Sequence, residues 1–382
     1  MNGIWYYIIA FFLIWILSLT FRRQLSNHGF EINFPTIMWK TKRFHNVIEK
    51  IANLSPRFWK WFMNVGIIIP FIAMFFITYS LIQSLSTLIE APAVSIVLPG
   101  VEMPGSTIYV PLGYGLISLA TVLIVHEFSH GILSRVEKIN IKSVGLLLFT
   151  ILPGAFVEPD EDELVKSSKL SQLRVYAAGS MANIALAIVA LLIFSAVGTY
   201  GIPNTFDENG IEIDRVVSDS PANGVLKEGM ILESINNHTI KDSDDYMDVV
   251  ETFVPGERVS VGTDQGIYNL TLSENPSNSP RGFVGVQAAN HFEIKESVSS
   301  VFGDTIPWIL FEISTLTQWI FILNLGVGLF NLLPVKPLDG GRMFEIVLSY
   351  KLKEETYKPI TNAVSIVLAT IIIFSLIYGF IG

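Results

Sequence analysis

Six apolar runs decide most of what this chain can fold into. They lie at roughly 4–21, 61–83, 108–134, 175–200, 306–335 and 357–382. A spanning helix needs about 20 mostly apolar residues. In hydrocarbon every backbone polar group must find its partner inside the protein, so such runs fold as membrane helices. Composition agrees: 51% of the 382 residues are hydrophobic and 15% charged, against about 25% charged in soluble domains. The expected class is a polytopic α-helical membrane protein with about six transmembrane helices, whose first partner is the lipid bilayer. The first run lacks a basic leader and a small-residue cleavage site, so it reads as a retained helix. A seventh apolar run, "GLLLFTILPGAFV" (145–157), has 13 residues and contains Pro153 and Gly154. It is too short to cross and reads as a re-entrant or interfacial hairpin.

Lysine and arginine in short loops set the orientation. The segment 22–60 holds Arg22, Arg23, Lys40, Lys42, Arg43, Lys50, Arg57 and Lys60, whereas 84–107 holds no basic residue. Arg135, Lys138 and Lys142 follow the third run, and Lys336, Arg342, Lys351, Lys353 and Lys358 follow the fifth. Six crossings then alternate without conflict. The basic segments lie in the cytoplasm, and both termini and 201–303 lie outside. The expected localisation is a multi-pass protein of the cell membrane. A net charge of -9 argues against nucleic acid as a partner. With no cysteine there is no disulfide framework, no thiolate metal site and no thiol nucleophile.

The segment 201–303 differs from the rest. It is rich in Asp and Glu, in turns such as "DENG", "DSPANG" and "NPSNSPRG", and in alternating runs such as "GIEIDRVV", "ERVSVGT" and "GIYNLTL". This pattern reads as a small inserted α+β domain of short strands with one helix near 243–253.

The chemistry centres on "VLIVHEFSHGIL" (122–133), which places His126, Glu127 and His130 inside a spanning run. Ionisable groups at membrane depth are costly, at roughly 2.5–3.5 kcal/mol each on insertion scales. Residues i and i+4 share a helix face about 6 Å apart, so His126 and His130 can turn two imidazoles toward one ion. This spacing suits zinc, with Glu127 as general base toward water. A purely structural role would require partners for all three groups, and a bound cation supplies them most simply.

A catalytic zinc keeps three protein ligands. The extended HExxHxxGxxH pattern fails, because Leu133 and Val136 stand where Gly and His belong. The acidic candidates near bilayer segments are Glu158, Glu312 and Asp339. Asp339, in "LFNLLPVKPLDGGRMFE", reads as the end of a spanning helix at the depth of HEFSH, with Pro334 and Pro337 breaking that helix. The plainer alternative is an Asp-capped turn. Glu158 fits a solvated acidic patch, and Glu312 falls near the other end of its helix.

"HEFSHG" on one helix with "NLLPVKPLDGGR" far downstream resembles the site-2 protease family of intramembrane zinc metalloproteases. The resemblance implies zinc (Zn2+) held by His126, His130 and Asp339, with Glu127 as catalytic acid and base. "AAGSMAN" at Gly179 and Asn183 is similar to a third motif of the family. Alone, that string would be ordinary small-residue packing between helices. Beside the others, Asn183 and Asn331 become candidates to hold the substrate backbone or the developing oxyanion. "IDRVVSDSPANGVLKEGMILESINNHTI" resembles the centre of a PDZ domain, with Met230 in place of the usual acid. That resemblance implies either a peptide ligand bound by strand addition or a steric filter.

The expected organisation is four parts. Residues 1–107 form N-terminal helices around a basic loop, and 108–200 the first half of a catalytic membrane core. Residues 201–303 form the PDZ-like domain, and 304–382 the second half of the core and a last helix. The function so implied is hydrolysis of peptide bonds within or beside transmembrane segments of protein substrates. A membrane scaffold using its PDZ-like domain without catalysis is the rival outside enzymology. Another integral-membrane zincin is the nearer rival, and it would need a glutamate ligand soon after HEFSH. An intramembrane serine protease lacks its GxSG.

Overall fold

The computed structural model describes residues 4–41, 44–86, 94–104, 106, 108–276 and 280–381. Lys42 and Arg43 of the basic segment, part of the 84–107 loop and part of the "NPSNSPRG" turn lie outside them. The chain divides into two compact units, one of residues 1–194 with 314–382 and one of residues 195–313.

In the first unit, five helices are long and apolar enough to cross a membrane: Pro56–Ser86, Leu112–Val136, Lys169–Thr205, Ile306–Phe330 and Glu354–Phe380, the third and fourth running on into the second unit. Ile4–Thr20 is apolar but has 17 residues. The second spanning element starts at Pro56 and not near 61, because Pro56 takes the first helical position, where a missing N–H costs nothing. Leu112–Val136 carries HEFSH, and its end is a Schellman turn. Lys138 adopts φ 65°, and the Ile139 amide returns to the Ser134 carbonyl at 2.8 Å. Glu137, one residue past the helix, has a side chain only 5% exposed and is paired with Arg174 at 2.8 Å and Ser171 at 2.7 Å. This satisfied ion pair ties the HEFSH helix to Lys169–Ala196. Farther along, the Asn324 amide donates to Thr121 Oγ1 at 3.0 Å, joining the HEFSH helix to Ile309–Phe330.

The segment 22–60 is more than the basic loop expected of it. It contributes strands β1 (Phe30–Asn33) and β2 (Thr36–Thr41), and the helix His45–Leu54 follows. The 145–157 run is indeed a hairpin, made of β3 (Ile141–Phe149) and β4 (Leu152–Pro159). The four strands form one antiparallel sheet in the order β1-β2-β3-β4. The ladder itself satisfies the hairpin's inner backbone groups, so the run needs no watery cavity. Gly145 of β3 pairs with Lys40 of β2. A Cβ there would lie 2.2 Å from the Trp39 carbonyl and 2.6 Å from the Phe156 ring.

A second correction concerns Asp339. The helix Ile309–Phe330 stops before Asn331, short of the expected 335. Asp339 does not end it; Asp339 is the first residue of a new helix, Asp339–Ser349. Pro334 and Pro337 have no N–H to continue the ladder. Instead Gly340 donates to the Asn331 carbonyl at 2.8 Å, folding the turn back on itself. Leu332, Leu333 and Val335 are buried and lock the turn in place.

The second unit contains a six-stranded antiparallel sheet. Its main path runs Val286–Ile294, Phe206–Val216, Ile231–Ile235, Arg258–Thr263 and Gly266–Thr271, and His238–Thr239 pairs off this path. Alternating Ile211 and Ile213 point into a core with Leu232, Ile235, Val259 and Val261. The expected helix is Ser243–Val250, capped by Asp242. A short helix, Glu296–Phe302, is additional.

Candidate metal centre

His126 and His130 turn their Nε2 atoms toward each other, 3.2 Å apart. Asp339 enters from the broken-helix turn, with Oδ2 3.2 Å from His126 Nε2 and 3.3 Å from His130 Nε2. Both imidazoles are 11% exposed and the carboxylate 15%. Among the described residues this trio is the cluster of His, Asp and Glu whose donor atoms could share one ion.

The geometry fits a metal on three independent grounds. A tetrahedral ion with bonds of about 2.0–2.1 Å keeps its ligands roughly 3.3–3.4 Å apart, so the three atoms already stand at three corners of that figure. Asp339 Oδ2 is buried and has no hydrogen-bond partner among the described residues. Such an oxygen is costly unless a cation satisfies it. Finally, the backs of the rings are committed. His130 Nδ1 lies 2.7 Å from the Val175 carbonyl. A carbonyl only accepts, so Nδ1 carries the proton and a neutral ring leaves the Nε2 lone pair facing the trio.

His126 Nδ1 meets the Asn183 amide nitrogen at 3.2 Å, while Asn183 Oδ1 is buried without a partner. Rotating that amide by half a turn lets Oδ1 accept from Nδ1–H. The turn satisfies the oxygen and frees His126 Nε2 as a donor to metal. Asn183 thus stands behind a histidine. Gly179, one helical turn earlier, leaves the space the rings occupy: a Cβ there would fall 2.4 Å from His130 Nε2 and 2.7 Å from His126 Nε2.

Glu127 lies beside this trio on the HEFSH helix, and its Oε2 accepts from the Val157 amide of β4 at 2.9 Å. That bond fixes one of its two carboxylate oxygens. Glu158 is engaged elsewhere, accepting from Ser143 at 2.6 Å, and neither it nor Glu312 joins the cluster. Asn331 lends its carbonyl to Gly340 and its side chain is partly buried. Sequence reasoning missed the Val157 amide and the Val175 carbonyl. They are backbone groups, and no residue type announces them.

The model of peptidase family M50 matches residues 114–373, more than half of the chain and inclusive of every residue of the trio. An uncharacterised protein of Methanocaldococcus jannaschii is 27% identical over 336 residues, 87% of this chain and 82% of that one. Among solved structures, the PDZ domain of an SdrC-like protein from Listeria monocytogenes is 20% identical. That match covers 21% of this chain and 87% of the other, with a TM-score of 0.19. The family match extends over four of the five membrane-length helices, the HEFSH helix to the last, and the chain belongs to peptidase family M50, the site-2 protease family of membrane metalloproteases.

Proposed function

We propose that the protein is a zinc endopeptidase that cuts peptide bonds within or next to transmembrane segments of other membrane proteins. The observation that carries the reading is the triangle of His126, His130 and Asp339 with Glu127 beside it, in a chain of this family. Those three residues would hold zinc, which supplies a Lewis acid for the scissile carbonyl and acidifies water at neutral pH. Glu127 takes a proton from the attacking water on its free oxygen and returns it to the leaving amine. Asn183 fixes the tautomer and tilt of His126. Asn331 is the side-chain amide available to the substrate backbone or oxyanion.

A helical substrate has its carbonyls tied up in its own ladder, so a stretch must unwind before it can be cut. The β4 edge is a partner for that unwound stretch. The charge of the loops supports six crossings with basic segments in the cytoplasm and 201–303 outside. A PDZ-like role for 201–303, docking peptide ends or filtering substrates, is part of the same proposal.

Two experiments test it. The purified protein should hold about one zinc per chain; His126→Ala and Asp339→Ala should lose it, while Glu127→Gln keeps it and is inactive. Full zinc in Asp339→Ala removes that residue from the metal. Mass spectrometry of membranes from matched cells with wild-type or Glu127→Gln protein should reveal fragments cut inside membrane segments in the wild type alone. Identical fragment sets would refute the protease reading.

A further inference from the structure

Arg342 is a cation in a place that does nothing locally to favour one. It is the fourth residue of Asp339–Ser349, at the positive end of that helix, where a cation is disfavoured. The residue is exposed, and its guanidinium makes no ion pair or hydrogen bond among the described residues. The acids nearest in sequence are committed elsewhere. Asp339 faces His126 and His130, and Glu345 is held by Lys336 at 2.6 Å.

A helical side chain leans back over the turn before its own Cα, so Arg342 extends over the turn that carries Asp339. Lys169–Ala196 passes alongside with the opposite sense. Its Val175 carbonyl lies 2.7 Å from His130 Nδ1, and its Lys169 ammonium donates to the Ser349 carbonyl at 2.7 Å. Tyr176 therefore starts at the level of the trio, and the same lean carries its ring toward Arg342. The charges acting on the Tyr176 hydroxyl are those of Arg342 foremost, then Glu161, Asp339 and Glu345. The ring is half-buried, and the hydroxyl has no hydrogen-bond partner among the described residues.

A guanidinium presents a planar fork that matches a carboxylate with two bonds. A phenol adds a third donor and, unlike an acid, leaves the positive charge uncancelled. Peptide hydrolysis turns a neutral amide carbonyl into a C-terminal carboxylate, which is ionised at neutral pH. We infer that Arg342 and Tyr176 form a carboxylate-binding site beside the His126, His130 and Asp339 trio, and that it takes a carboxylate of the bound peptide. The reaction itself supplies one, the new C-terminus of the cut fragment. The inference rests on the protease reading above, and adds that Arg342 and Tyr176 delay release of that fragment.

The probe is a fluorescent Leu/Ala peptide in three forms. One ends in a free carboxylate, one in a carboxamide, and one in a carboxamide with Glu four residues before it. Each is bound to full-length, zinc-loaded Glu127→Gln protein, which leaves cleavage out of the measurement. Any contribution of the metal is shared by all variants, so the ratio of acid to amide affinity isolates the pair. Arg342→Gln should shrink that ratio about tenfold and Tyr176→Phe about threefold, the worth of charged and neutral hydrogen bonds. Arg342→Lys keeps the charge without the fork and should restore part of the loss. Affinity for the plain carboxamide and zinc content should stay unchanged, whereas a merely structural role would weaken all three peptides together.

An Arg342-dependent preference for the free acid identifies the product end as the source of the carboxylate. A preference for the Glu peptide alone identifies an acidic side chain of the substrate. An acid-to-amide ratio and a Glu-to-amide ratio both unchanged in Arg342→Gln, or equal weakening of every peptide, overturns the inference. If the preference is found and depends on Arg342 but wild-type protein cuts no membrane peptide, the carboxylate site stands and the protease reading fails.

Discussion

The two larger antiparallel sheets among the described residues are built by opposite rules. In the second unit, Ile211 and Ile213 are buried while Glu212 between them is half-buried and Asp214 exposed, the alternation of a sheet with one wet face. In the first unit, the exposed polar residues Lys142 and Glu158 lie at the open end of the β3–β4 hairpin, and Glu31 and Asn33 on β1. Toward the hairpin tip the exposed residues are themselves apolar: Leu146 and Phe149 on β3 and Leu152 on β4, with Phe34 in the β1–β2 turn. A strand whose outward side chains are as apolar as its inward ones has lost the contrast that marks it as a strand. The comparison teaches that hydropathy alternation reports the solvent as much as the fold. Where the surroundings are lipid, the periodicity of a sheet vanishes from the sequence.

The comparison breaks most sharply on core truncation. Ile213→Ala should destabilise the second unit by about 2–5 kcal/mol, the usual range for a cavity in a packed core. Leu152→Ala, at a position 52% exposed, should cost less than about 1 kcal/mol in bilayers, since hydrocarbon solvates leucine as well as a protein does. Hydrogen exchange resolved by segment measures both. A large effect at Leu152 would mean that this side chain packs against protein and that the sheet does not face lipid there.

Glycines in the strand pairs of each sheet sharpen it at the next scale. Gly145→Ala would drive a Cβ into a carbonyl oxygen and a ring, and overpacking of this kind costs about 1–3 kcal/mol. A Cβ at Gly262, in the other sheet, would fall 2.3 Å from Ser234 Oγ. That hydroxyl can rotate away, so Gly262→Ala should cost under about 1 kcal/mol. Equal losses would show that the two strand pairs are equally rigid there.

What could be read in advance follows the same division. His126, Glu127, His130 and Asp339 were legible because such residues are rare and expensive in apolar surroundings. The strands of 206–271 were legible from alternation and turn residues. The β1–β2 hairpin was hidden in a segment judged by its lysines and arginines, and its partner β3 lies more than a hundred residues later. "GLLLFTILPGAFV" betrayed its hairpin only by being too short to cross. The place of Asp339 at a helix start was in principle visible, since proline precedes it and two glycines follow. A search for spanning helices extends the apolar run through that turn instead.

The smallest expected effects lie at two helix caps, one in each unit. Asp242 accepts from the Asp245 amide at 2.9 Å, and Asp242→Ala should cost about 1 kcal/mol. Asp160 follows β4 directly and accepts from the Asp162 and Glu163 amides, with Lys142 3.4 Å away. The Glu163 amide first, and Lys142 after it, hold its carboxyl below the ordinary carboxylate range. A group whose pKa is depressed on folding stabilises above its unfolded value and loses that contribution as pH falls through the folded one. The turn Glu161–Lys166 should therefore hold at neutral pH and fray only below about pH 4, the ordinary value of an aspartate. Asn at this position accepts the same bonds at every pH, so in Asp160→Asn the acid-dependent fraying should disappear while the neutral-pH turn remains. Exchange rates of the Asp162 and Glu163 amides, followed from neutral pH into acid in both proteins, decide the matter. Identical acid profiles would mean that the cap is not what ends the sheet, and that β4 reaches Glu127 without its help.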